Sequence, residues 1–195
     1  MRSEQAKRMA AIVFDRNEAP DQPLADFIEA KRSRAVRIGG LVQEDGDALR
    51  APRDVAVRDI ATGESLPIMQ ELGADATGCS VDPSAIAAAA QMLARAIAAR
   101  PQLLVVNRFG RLEAEGRGMR VEIAQALIDE IPLIVCVPRR YLDAWNAFAD
   151  GLDAQIPPLR AAIEAWWDVV GAVTERGVLS AHAASPRRAQ GRNVG

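Results

Sequence analysis

The sequence predicts a single α/β domain in three layers, with a mainly parallel sheet covered by helices on both faces. Two continuous apolar runs, Leu103-Leu-Val-Val106 and Leu133-Ile-Val-Cys-Val137, have the composition of strands buried on both faces, as parallel sheets require. Helical stripes alternate with them: Ile86, Ala90, Leu93 and Ile97 before the first, Met119, Ile123 and Leu127 between the two, and Leu142, Trp145 and Ala149 after the second. That alternation is the pattern of crossover connections between parallel strands.

The remaining elements follow in order. Met9-Ala-Ala-Ile-Val-Phe14 is a buried strand that ends in the polar, proline-bearing stretch Asp15 to Pro23. Leu24, Phe27, Ile28 and Lys31 have the i, i+3, i+4, i+7 spacing of a short helix. Arg37 to Val42 is a second strand, and Gly39-Gly40 within it implies a close backbone approach or a bulge. After the turn Glu44-Asp-Gly-Asp47, Val55 and Val57 alternate with Asp54, Ala56 and Arg58 as a half-exposed strand does. Thr62-Gly63-Glu64 then leads into Ser65 to Met69, where Pro67 requires an edge position. Residues 37–70 therefore form a β-meander inserted before the alternating half. Asp82-Pro83 pairs an N-cap with proline at the first helical position, and Pro101 and Pro132 stop two helices. Leu159, Ile163, Trp166, Val170 and Val173, introduced by Pro157-Pro158, make the final helix. Residues 1–8 read as a flexible N-terminus, 9–178 as the domain, and 179–195, which lack periodicity, as a disordered tail.

Composition narrows the chemistry. With 24 basic and 26 acidic residues in 195, the chain lacks the charge excess that would draw it to nucleic acid or an anionic membrane. No window approaches the apolar length of a membrane span, and the polar N-terminus lacks a signal h-region, so the expectation is a cytoplasmic protein. All the basic residues except Lys7 and Lys31 are arginine, and His182 is the only histidine. A multi-histidine metal site is thereby excluded, and a Ser/His/Asp triad would have to recruit His182 from the tail. Cys79 and Cys136 have neither zinc-ligand nor redox-motif spacing, and Cys136 reads as a reduced core residue.

In open α/β sheets ligands bind beyond the carboxyl ends of the strands, which directs attention to the loops after Phe14, Val106 and Val137. Residues 107–120, Asn-Arg-Phe-Gly-Arg-Leu-Glu-Ala-Glu-Gly-Arg-Gly-Met-Arg, carry four arginines, three glycines and two glutamates between a buried strand and a helix. Arg108, Arg111 and Arg117 can offer planar forks to an oxyanion. Asn107 and the backbone at Gly110, Gly116 and Gly118 can add directional hydrogen bonds, and Glu113 can orient an arginine. The alternative is a solvated salt-bridge cluster in which Glu113 and Glu115 pair with the arginines and the glycines serve only the turn. Trp166 falls on the apolar stripe of the last helix, whereas Trp167 lies about 100° round it, in place for a homodimer or partner contact.

Two family resemblances attach to these residues. Arg37 to Val42 feeding a meander, then Thr62-Gly63-Glu64, then Gly78-Cys-Ser-Val-Asp82 before an Ala-rich helix, resembles the P-loop nucleoside-triphosphatase family first described from thermophiles. The 107–118 motif is similar to the signature of a bacterial uncharacterised-domain family often encoded beside molybdate transport genes, a similarity that runs from Ala10 to Trp167. The first resemblance implies a P-loop fold, and the second implies a link to molybdenum uptake or cofactor metabolism. The chain departs from a working P-loop at decisive points. Asp15-Arg-Asn-Glu-Ala-Pro-Asp-Gln-Pro23 has no glycine and no lysine, Asn107 stands where a carboxylate anchors magnesium, and Arg108 stands where one would poise water. The expectation is a degenerate phosphate loop and a non-catalytic domain that binds an anion: a nucleotide, phosphate or a molybdate-type oxyanion. The competing expectation is a residual triphosphatase or phosphotransferase with an unusual phosphate loop built on Arg16 and Asn17.

Overall fold

The structure is a computed structural model that describes residues 7–45, 55–69 and 81–183. Its sheet has seven strands: β1 (Met9–Phe14), β2 (Ile38–Asp45), β3 (Val55–Asp59), β4 (Ser65–Pro67), β5 (Leu103–Val106), β6 (Leu133–Pro138) and β7 (Asp153–Ile156). The helices are α1 (Asp21–Arg32), α2 (Pro83–Ala98), α3 (Arg111–Ala114), α4 (Arg120–Ile128), α5 (Leu142–Ala149) and α6 (Arg160–Ala183). The spatial order is β4-β3-β2-β5-β6-β1-β7. β2, β5, β6, β1 and β7 run parallel, while β3 and β4 continue from β2 as antiparallel strands.

The apolar runs of β1, β5 and β6 are buried along their whole length because both faces are covered. Side chains alternate between two core layers. Met9, Ala11 and Val13, with Leu104, Val106, Leu133, Val135 and Val137, face α2, α4 and α5. Ala10, Ile12 and Phe14, with Leu103, Val105, Ile134 and Cys136, face α1 and α6. The expected three layers are therefore present.

Local chemistry explains several boundaries. The Asp82 carboxylate accepts from the Ser84 N–H at 2.8 Å, with Pro83 at the first helical position, and this starts α2 where the sequence places it. Gly40 has φ 113°, and a Cβ there would lie 2.0 Å from the carbonyl oxygen of Val105 in the neighbouring strand. The close approach expected of the glycine pair therefore falls on Gly40 alone. β4, which carries Pro67, is an edge strand, as proline demands.

Three features depart from expectation. β7 was not foreseen between α5 and the last helix: it is a four-residue edge strand containing Asp153 and Gln155. α6 continues to Ala183, past the tail boundary drawn at 179, while residues 184–195 lie outside the described residues, as do Cys79 and Gly78. Trp167, expected at a partner contact, is buried within the fold instead. It is 9% exposed, and its ring meets Phe27 of α1 edge-on at 6.4 Å, because α1 packs against α6. The same seam buries Lys31, which pairs with Glu164 and lies 5.3 Å from the Phe27 ring centroid. Among the described residues no helix is long and apolar enough to cross a membrane.

Candidate functional site

The chain leaves β1 through α1 toward β2 on one side of the sheet, and leaves β6 through α5 toward β7 on the other. Adjacent strands whose connections diverge open a crevice at their carboxyl ends, the usual ligand place in such sheets. Between β1 and β6 there is a crevice of about 600 Å³, lined by Phe14 to Arg16 and Glu18 to Asp21, by Arg108 after β5, and by Pro138 to Arg140 after β6. A second hollow of about 440 Å³ lies at the opposite ends of β2 and β5, and its walls are mostly apolar apart from Arg32 and Arg37.

Four guanidinium groups and three carboxylates line the switch-point crevice. Arg139 Nε donates to Asp15 Oδ2 at 2.8 Å. Arg108 Nη2 stands 3.5 Å from Asp21 Oδ2, and its guanidinium carbon lies 5.4 Å from the Phe14 ring centroid, within cation–π range. Asn107, only 3% exposed, donates from Nδ2 to Asp21 Oδ1 at 2.6 Å. Asn107 Oδ1 and Arg108 Nε are both buried without a hydrogen-bond partner. Arg16 and Arg140 make no ion pair among the described residues, and Arg140 stacks at 4.9 Å on Tyr141. The loop Asp15 to Pro20 is bonded to itself: Asp15 N–H donates to Glu18 Oε2 at 2.7 Å, and Glu18 N–H to the Asp15 carbonyl at 3.1 Å.

The arginine-rich motif divides between two places. Arg108 lines the crevice and Asn107 is buried behind Asp21, but Arg111 and Arg117 both turn to Glu115 on the exposed side of the loop. The Arg117 hydrogen bond is the main reason the Glu115 carboxyl titrates below its ordinary value. The Glu113 carboxylate orients no arginine; only the residue's backbone carbonyl meets one, accepting from Arg120 Nη1 at 3.2 Å. It is buried, and its Oε2 accepts from Gly110 N–H at 2.8 Å while Oε1 accepts from Met119 N–H at 3.0 Å, so one carboxylate ties α3 to α4. The Gly110 bond is the half of a capping box in which the third helical residue reaches back. Gly118 is there because its φ is 63° and a Cβ would sit 2.1 Å from Glu113 Oε1, whereas Gly116, at φ 83°, faces open space. Arg120 lies 4.6 Å over the Phe148 ring, and buried Phe109 packs edge-on against Trp145 at 5.2 Å. The motif is thus a folded turn anchored in the core, with only its first two residues at the crevice.

Of the residues singled out from sequence, the structure brings Arg16, Asn107 and Arg108 to the crevice region and leaves Arg111, Glu113, Gly116, Arg117 and Gly118 in the turn. Gly110 is the N-terminal residue of that turn, and Asn17 is exposed in the β1–α1 loop. Sequence reasoning missed Asp21, Arg139 and Arg140. The available signal for the last two was a basic pair directly following a buried parallel strand.

Residues 9–166 match the family described as protein of unknown function (DUF2478). The chain belongs to that family. One curated relative, the molybdenum import ATP-binding protein ModC 2 of Bradyrhizobium diazoefficiens, is 37% identical over 163 residues, which is 82% of this chain and 18% of the relative. This DUF2478 chain therefore spans under a fifth of that protein. Among solved structures, a human cancer-related nucleoside triphosphatase superposes with a TM-score of 0.60 at 12% identity, covering 92% of this chain and all of that one. The likeness identifies the DUF2478 fold as a three-layer, P-loop-like α/β fold.

Proposed function

We propose that this domain binds a small oxyanion, or the phosphate end of a nucleotide, in the arginine-lined crevice without hydrolysing it, and that it serves molybdenum uptake. The observation that carries the proposal is the convergence of Arg16, Arg108, Arg139 and Arg140, from three separate loops, on the switch-point crevice. Guanidinium forks suit the spaced oxygens of a tetrahedral anion, and charge-assisted bonds to such an anion are about twice as strong as neutral ones. The arginines outnumber Asp15, Glu18 and Asp21, so the crevice carries a positive excess.

A magnesium triphosphate is a poor fit to the same residues. The phosphate grip of a P-loop requires glycine N–H groups and a lysine, whereas Asp15 to Pro20 contains neither residue, has two of its N–H groups bonded as described, and ends in a proline that has none. Degeneracy of the phosphate loop follows from this chemistry. The molybdenum role draws on the shared segment with a molybdenum importer component and on molybdate being itself a tetrahedral dianion. The ATP-binding description of that relative refers to a protein of which this chain matches only 18%.

Isothermal titration of the full chain with molybdate, tungstate, sulfate, phosphate and ATP tests the proposal. The expected result is saturable binding of at least one oxyanion, weakened about tenfold or more in an Arg139→Ala/Arg140→Ala variant, equivalent to losing roughly 1.4 kcal/mol. Absence of binding, or equal binding by the variant, removes the crevice from consideration. Magnesium-dependent phosphate release that disappears with Asn107→Ala would instead identify the domain as a hydrolase.

A further inference from the structure

We propose that the crevice takes its anion free of any divalent cation, because the Arg108 guanidinium occupies the electrostatic place of the metal. The inference rests on the anion-binding reading above and concerns what accompanies the ligand. In triphosphate-binding members of this fold type, magnesium is held between a hydroxyl at the start of the first helix and a carboxylate at the end of a neighbouring strand. Here both places are occupied with the chemistry exchanged. Asp21, the first residue of α1, supplies the carboxylate, and Asn107, at the end of β5, supplies an amide.

A hard divalent cation needs oxygen lone pairs turned toward it. The two oxygens of Asp21 are already engaged, Oδ1 by Asn107 Nδ2 at 2.6 Å and Oδ2 by Arg108 Nη2 at 3.5 Å. Each of the other crevice carboxylates has one oxygen engaged: Asp15 Oδ2 receives Arg139 Nε, and Glu18 Oε2 receives the Asp15 amide. Among the described residues no three acidic, cysteine or histidine side chains converge as a metal cage. A divalent ion at Asp21 would have to approach a fixed positive charge that lies over the Phe14 ring with three-quarters of its surface covered. The guanidinium and the ion compete for one carboxylate, and the guanidinium is covalently present. Such a site selects a bare oxyanion over a metal–nucleotide complex.

The test is titration of the full chain with sodium molybdate, sodium phosphate and ATP, each in EDTA and in magnesium chloride. Molybdate or phosphate is expected to bind with affinities that agree within about twofold in the two buffers, and ATP to bind more weakly in magnesium, which shields its phosphates. Asp21→Asn, nearly isosteric and thus safe for folding, is expected to tighten anion binding in both buffers, because it removes a negative charge and no metal ligand. Arg108→Ala is expected to weaken binding about tenfold in EDTA and to gain a magnesium dependence that the wild type lacks. Wild-type binding about tenfold tighter in magnesium, or binding lost in Asp21→Asn, would overturn the metal-free reading while leaving the anion site standing. No binding in either buffer overturns the anion site itself, and the metal-free inference with it.

Discussion

Asn107 and Asp21 are 86 positions apart in the chain and 2.6 Å apart in space, with the amide Nδ2 of the first donating to Oδ1 of the second. The bond joins the end of β5 to the start of α1 and so fixes Asp21 in the wall of the switch-point crevice. It does so at a cost, because Asn107 Oδ1 and Arg108 Nε remain buried without partners. Such orphans cost about 1–3 kcal/mol each and tend to mark function rather than stability.

Asn107→Ala separates the two roles. It removes a hydrogen bond to a charged group, worth roughly 1.5–3 kcal/mol, and also removes one orphaned acceptor of similar cost. The opposing terms predict a net stability change below about 1.5 kcal/mol in urea unfolding, accompanied by weakened anion binding as Asp21 and Arg108 lose their alignment. A loss above about 3 kcal/mol with binding unchanged would make Asn107 a structural brace only.

Glu113 is expected to be the most sensitive residue of the arginine-rich turn, although its carboxylate pairs with no arginine. Glu113→Ala deprives the amides of Gly110 and Met119 of their acceptor inside the fold, and the expected cost is about 2–4 kcal/mol. Glu113→Gln keeps one oxygen but turns an amino group toward the other N–H, so it falls between alanine and wild type. Urea midpoints measure both, and a cost under about 0.5 kcal/mol for the alanine variant would contradict the cap.

The same carboxylate sets the requirement for Gly118. A Cβ there would lie 2.1 Å from Glu113 Oε1 and 2.7 Å from its carboxyl carbon, in addition to the strain of φ 63°. Gly118→Ala should therefore cost roughly 2–4 kcal/mol, against about 1 kcal/mol for Gly116→Ala, which meets only backbone strain. A double-mutant cycle discriminates further. In a Glu113→Ala background the Gly118→Ala penalty should shrink by at least about 1 kcal/mol, and strict additivity would contradict the steric account.

What the sequence disclosed and what it hid have physical reasons. β1, β5 and β6 were legible because strands covered on both faces must be apolar throughout, and α2 because Asp82 and Pro83 cap it by local chemistry. β7 was hidden because an edge strand of four residues can keep Asp153 and Gln155, and nothing in its pattern distinguishes it from a loop. The crevice was half legible. Arg16 and Arg108 follow buried strands and were found by that rule, yet the same rule applied to Val137 would have found Arg139 and Arg140. Arg111 and Arg117 misled because nearness in sequence to Arg108 counts for little once α3, which begins at Arg111, turns the chain and both pair with Glu115.

Cys136 gives the domain a pH dependence whose sign can be worked out. Its thiol is fully buried in β6 on the face toward α1, and burial pushes it well above its ordinary value, with Asp21 adding to the rise and Arg108 opposing it. The folded chain therefore keeps the Cys136 proton where the unfolded chain releases it. Stability from this group is intact below the unfolded thiol value of about 8.5 and falls as pH rises above it, by up to about 1.4 kcal/mol per unit. In a Cys79→Ser background, which leaves one thiol, the unfolding free energy should decline between about pH 9 and pH 10 more steeply than in the same chain carrying Cys136→Ala, by roughly 1 kcal/mol. Parallel curves would mean that the thiol ionises within the fold, contrary to its burial between the sheet and α1.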